Sequence, residues 1–183
     1  AVASGSFAAT SVASEEDVDL DGETEPLLYN DRVFAAFERL GGRMIGAWVR
    51  DPETGLVSQA VGNPLAYSGS DSEEEGSANV VGGAPGAFRT SGFKDWFAQT
   101  GGSGTGTPMF VNALYTAAPA VSATGWSFTA PGGAVAKTIT LNPRSTLLRG
   151  TYTLSGSVNR IFVRHGFSPD LWDLLLNGQT NLL

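Results

Sequence analysis

The sequence predicts an all-β protein: an antiparallel β-sandwich, jelly-roll or supersandwich-like, with one short C-terminal helix and an extended N-terminal strand. Three observations predict it. Short β-compatible runs recur at about 8–12-residue spacing with turn residues between them. Gly is abundant, at 24 of 183 residues, and charged residues are only 16%, below the ~25% of an average soluble domain. The run Val33-Phe34-Ala35-Ala36-Phe37 is apolar on both faces, as a strand buried in a sandwich must be.

Three zones follow one another along the chain. Residues 1–14 (AVASGSFAATSVAS) are small and uncharged. Such a segment buries too little apolar area to hold itself together, but it can complete an open sheet edge elsewhere. It is expected to leave its own domain as a donor strand for another subunit, contacting it through Phe7, Ala9 and Val12. Residues 15–25 (EEDVDLDGETE) form an acidic loop, and residues 26–183 form the sandwich.

Within the sandwich, residues 27–38 (LLYNDRVFAAFE) make the first strand and Leu40-Gly41-Gly42-Arg43 a turn. Residues 44–50 (MIGAWVR) and 56–62 (LVSQAVG) flank Asp51-Pro52-Glu53-Thr54-Gly55, which has Pro and Gly where a hairpin turn uses them. A long Gly/Ser/acidic stretch at 68–86 precedes an aromatic segment at 88–97 (FRTSGFKDWF) and a Gly/Thr loop at 100–108. Five more strands are predicted at 109–116, 125–130, 134–141, 146–154 and 158–164. The helix is placed at about 169–177. Ser168 is its N-cap, Pro169 its first residue, Asp170 a complement to its dipole and Gly178 its stop.

Composition excludes several kinds of chemistry. Eleven basic residues face eighteen acidic ones, for a net charge of −7, so nucleic acid is not an expected partner. No apolar run approaches the ~20 residues of a spanning helix. Without cysteine there are no disulfides, thiolate metal sites or cysteine nucleophiles, and a single histidine, His165, rules out a histidine-rich metal site. The first residues lack the basic and apolar regions of a secretory leader. A mature chain whose leader has been removed, at the cell surface or outside the cell, is the expected setting.

The sharpest motif is Asp17-Val18-Asp19-Leu20-Asp21-Gly22-Glu23-Thr24-Glu25. Calcium takes about six to eight hard oxygens at about 2.3–2.6 Å. Alternate carboxylates on a curling loop converge on one point, and Gly permits the sharp bend. Asp17, Asp19, Asp21, Glu23 and Glu25 are therefore the expected Ca2+ ligands. The final bidentate position of an EF-hand-type loop falls on Leu28, so the set must be completed from elsewhere or by water. A second acidic cluster, Asp71-Ser72-Glu73-Glu74-Glu75-Gly76, lacks that spacing and reads as a solvated loop.

Nothing comparable marks catalysis. There is no G-x-S-x-G elbow and no phosphate-binding loop. His165 reads as a structural residue beside a strand end. Glu38, Asp51 and Asp95 show no spacing that would make a carboxylate pair. The aromatic residues read mainly as core, with Trp96 the best candidate for a sugar contact. The chain is expected not to be an enzyme.

The stretch DVDLDGETEPLLYNDRVFAAFERLGGRMIGAWVRDPETG resembles the acidic loop and following strands of secreted family 57-type glycoside hydrolases. GWSFTAPGGAVAKTITLNPRSTLLRGTYTLSG is similar to strands of their galactose-mutarotase-like supersandwich. The resemblance covers roughly residues 17–176 and concerns an accessory region, so it implies a calcium-loaded extracellular sandwich and does not imply an enzyme. Two functions are then expected. The first is a structural subunit of a self-assembling surface filament or tube, a homo-oligomer or polymer joined through the N-terminal strand. The alternative is a carbohydrate-binding or accessory module for an α-glucan or another polysaccharide.

Overall fold

A computed structural model describes residues 8–18, 20, 22–61, 92–99, 110, 113–156 and 161–166. Its elements among these residues are β1 (Val12–Glu16), β2 (Glu25–Tyr29), β3 (Val33–Glu38), β4 (Arg43–Arg50), β5 (Val57–Val61), β6 (Lys94–Gln99), β7 (Thr116–Pro119), β8 (Gly125–Thr129), β9 (Val135–Leu141), β10 (Leu148–Leu154) and β11 (Ile161–Gly166), with a 3₁₀ turn at Pro131–Gly133. The all-β expectation holds: two antiparallel sheets, ordered β1-β2-β3-β4-β5 and β10-β9-β8-β7, form a sandwich, and β11-β6 is a further antiparallel pair. The helix expected at 169–177 lies outside the described residues.

The core lies between the two main sheets. Leu28, Val33, Ala35 and Phe37 on one side meet Trp126, Phe128, Val135, Ile139 and Leu141 on the other, all buried. Each large apolar side chain buried this way contributes about 1.5–3 kcal/mol. Period-two alternation accounts for the second sheet: in β9 Val135, Lys137, Ile139 and Leu141 are buried while Ala136, Thr138 and Thr140 are only half-buried. Trp126 Nε1 donates to the Leu27 carbonyl at 2.7 Å, which satisfies the indole and links the sheets.

The sequence predicted one strand over 27–38, and the structure makes two. Asn30 is the cause. Its Oδ1 accepts from the Arg32 and Val33 amides at 2.8 and 2.9 Å, which closes a side-chain-capped turn and reverses the chain. β2 then runs antiparallel to β3. The Asn30 side-chain amide also donates to the Asn142 and Ser145 carbonyls at 3.1 and 2.9 Å, tying this turn to the β9–β10 turn.

The predicted 109–116 strand is displaced to Thr116–Pro119. Just before it, Leu114 bridges to Leu40, the Ala113 carbonyl accepts from Gly41, and the Tyr115 amide donates to Arg39. These bonds hold residues 113–115 against the β3–β4 turn and bring Tyr115 into the core.

The N-terminal segment differs most from expectation. Val12, Ala13 and Ser14 do not leave the domain: they pair with Tyr29, Leu28 and Leu27 of the same chain, and β1 continues to Glu16. The Ala9 carbonyl accepts from the Arg144 amide at 3.0 Å. β2 gives β1 the ladder that a neighbour's edge would offer, and Ala13 packs on the core. Phe7 lies outside the described residues.

Candidate functional site

The acidic segment is the connection between two paired strands. Glu16 stands opposite Glu25 in the β1–β2 register, so residues 17–24 form a closed hairpin loop. Leu20 and Gly22 adopt left-handed backbone, at φ 66° and 96°. Asp17 Oδ2 accepts from the Gly22 amide at 3.1 Å, drawing the loop into a ring. Glu25 is buried, and its Oε2 accepts from the Val18 amide at 2.8 Å, bracing the loop from inside. Outside, Arg39 pairs with Glu15 at 2.8 Å and donates to the Thr24 carbonyl.

Asp17, Glu23 and Glu25 of the expected calcium set therefore lie in or against one short loop; Asp19 and Asp21 lie outside the described residues. No group of three metal-ligating side chains is assembled among the described residues. Trp96 is in β6, opposite Arg164 of β11. Asp51 serves the β4–β5 turn: its Oδ1 accepts from the Glu53 and Thr54 amides at 2.8 and 3.4 Å. Those backbone bonds, the Glu53 amide first, hold its carboxyl below the ordinary carboxylate range.

A second group of polar side chains was missed in the sequence. Lys137 of β9 and Asp95 of β6 are both buried, and Lys137 Nζ lies 3.1 Å from Asp95 Oδ2. The same oxygen accepts from the Tyr152 hydroxyl at 2.9 Å. Lys137 Nζ also donates to the Phe93 carbonyl at 2.7 Å and stands 5.3 Å from the centre of the Tyr115 ring. Tyr115 is buried, and its hydroxyl has no hydrogen-bond partner among the described residues. Arg43, fully buried, adds a second positive charge.

Burial pushes the Lys137 ammonium down to about 8, against the opposing pull of Asp95 and with further lowering by Arg43. Burial, then the negative Asp95, holds the Tyr115 hydroxyl well above its ordinary value. Gly42, at φ 53°, leaves room for this lysine: a β-carbon there would stand 3.0 Å from Lys137 Cε and 3.0 Å from Phe128 Cβ. The signal available in the sequence was Val135-Ala136-Lys137-Thr138-Ile139, where a lysine occupies the inward register of a strand.

No helix among the described residues is long and apolar enough to cross a membrane. No family model, curated protein or solved structure matches the chain.

Proposed function

We propose that this chain is a non-enzymatic, extracellular, calcium-binding β-sandwich that serves as a structural subunit of a self-assembling surface filament or tube. The supporting observation is the form of the acidic segment. It is a closed hairpin loop, bent at Leu20 and Gly22 and drawn together through Asp17. Alternate carboxylates on a loop closed and bent in this way can converge on one cation, the arrangement calcium uses. Asp17, Asp19, Asp21 and Glu23 supply oxygens, and Glu25 braces the loop through Val18.

The joining element is the N-terminal edge, in a form that the in-chain pairing of β1 requires. β1 is an edge strand, held by its ladder to β2 and connected to it by the loop at 17–24. In an assembly, a neighbour's β2 offers the same ladder, and the loop is the hinge about which β1 exchanges. Calcium stiffens that hinge and fixes the direction in which β1 leaves.

Calorimetry on the purified chain tests the metal: one calcium should bind, and Asp17→Ala should abolish binding. Sedimentation and negative-stain imaging test the assembly. Regular polymers of the full chain in calcium, absent after deletion of residues 1–16, are expected. A full chain that stays monomeric at high concentration in calcium would defeat the subunit reading while leaving the calcium reading to stand on the calorimetry.

A further inference from the structure

Two oppositely charged side chains that are both fully buried need a reason to be there, because an apolar pair of similar volume is often at least as stable. Lys137 and Asp95 are such a pair. They project from β9 and β6, separated by 42 positions in sequence, and meet at 3.1 Å inside the core, with the Tyr115 ring centre 5.3 Å from Nζ and the buried Arg43 as a second positive charge. A hydroxyl group, that of Tyr152, already sits on the reacting carboxyl at 2.9 Å.

We propose that Lys137 and Asp95 condense into an intramolecular amide, a covalent strut from β6 to β9. The chemistry needs only groups already in place. A proton passes from the ammonium to the carboxylate within the pair, giving a neutral amine and a carboxylic acid. Taking two charges out of a low-dielectric interior favours that exchange. Nζ attacks Asp95 Cγ, the C–N bond forms, and the Cγ–Oδ2 bond breaks. Oδ2 departs as water, carrying the acid proton and one proton from nitrogen. Tyr152 relays that second proton: its hydroxyl gives one to Oδ2 and recovers one from Nζ. One water is released, nothing is oxidised or reduced, and no cofactor or co-reactant is required.

The enclosure supplies what free lysine and aspartate lack in water. The nucleophile is held against its target, which replaces an encounter between separate groups. Burial shifts the lysine toward its neutral, nucleophilic form. The Phe93 carbonyl, 2.7 Å from Nζ, fixes the direction of the nitrogen. The product replaces the buried ion pair with an uncharged amide.

Intact-mass measurement of the purified, denatured chain is the test. The expected mass is lower than the sequence mass by one water, and proteolysis should yield one branched fragment joining the peptides that contain Lys137 and Asp95. Lys137→Met should restore the full sequence mass. Tyr152→Phe, which keeps the ring and removes the relay, should slow the appearance of the dehydrated form after refolding. A folded wild-type chain at full sequence mass, or a missing water that maps to any other pair of residues, overturns the proposal.

Discussion

Asn30 shows how much one polar side chain can decide. It is fully buried, and its amide group makes four hydrogen bonds: two accepted from the Arg32 and Val33 amides, and two donated to the Asn142 and Ser145 carbonyls. Asn30→Asp keeps the shape and the acceptor side. It removes both donors and sets a carboxylate against two carbonyl oxygens. The expected loss is about 2–4 kcal/mol, read as a lowered urea midpoint. Asp31→Asn, next door on a half-buried position, should move that midpoint far less.

Tyr115 makes a prediction in pH. Its folded value is raised above the ordinary phenol value of 10.0, by burial first and by Asp95 second. The sign follows directly. Below pH 10 the hydroxyl is protonated in both the folded and unfolded chain and contributes no pH dependence. Above pH 10 the unfolded chain releases the proton while the folded one keeps it, so the folded state binds more protons and stability falls as pH rises. Between about pH 10 and about pH 11.5 the denaturant midpoint of the wild type should therefore drop more than that of Tyr115→Phe, a comparison in which the shifted Tyr152 and Lys137 are common to both.

Among the elements, β1 and its loop carry the functional reading. Calcium held by the 17–25 loop should stabilise the fold by mass action, about 2.7 kcal/mol when free calcium is 100 times its dissociation constant. EDTA should lower the melting temperature of the full chain, and a melting curve unmoved by EDTA would count against the site. Gly22→Ala tests the loop geometry separately. At φ 96° a β-carbon is strained although it meets no neighbour, so the apo melting temperature should fall by the equivalent of about 1 kcal/mol and calcium affinity should fall with it. Removing residues 1–16 uncovers the edge of β2, where Pro26, Leu27 and Leu28 are buried in the full chain. The truncated chain should be less stable, and added peptide of that segment should restore part of the loss, because the ladder of β2 is open to any matching strand.

At the scale of the whole molecule, the Lys137–Asp95 strut has a consequence that an ion pair lacks. A cross-link closing a loop across 42 positions removes unfolded-state entropy worth about 4 kcal/mol by the loop-closure relation. Replacing a buried ion pair with apolar side chains is instead often neutral or stabilising. The double variant Lys137→Met/Asp95→Leu therefore separates the two by sign. A fall in stability of that size belongs to the strut, and an unchanged or raised stability belongs to an unlinked pair.

The all-β class, the approximate sites of most strands, the β4–β5 turn and the acidic loop were legible in the amino-acid order. All of these rest on neighbours in the chain: alternation that gives each strand an inward face, Pro and Gly at a bend, Asp at alternate positions before Gly22. Even the split of 27–38 was present in Asn30-Asp31, a turn signal hidden inside an apolar run. Two things belonged to the tertiary structure alone. One is the edge that β1 occupies. Main-chain hydrogen bonds are nearly the same along any open strand, so a weakly patterned segment such as Val12–Glu16 carries little sequence information about which one it will join. The other is the buried cluster. Lys137 shows in the sequence as a charge in a core register, but whether that charge is tolerable depends on Asp95, Tyr152 and the Phe93 carbonyl, which the fold delivers from β6, β10 and the backbone just before β6. The stability of a buried charge is set by what surrounds it in space, and only the packed sheets supply that surround.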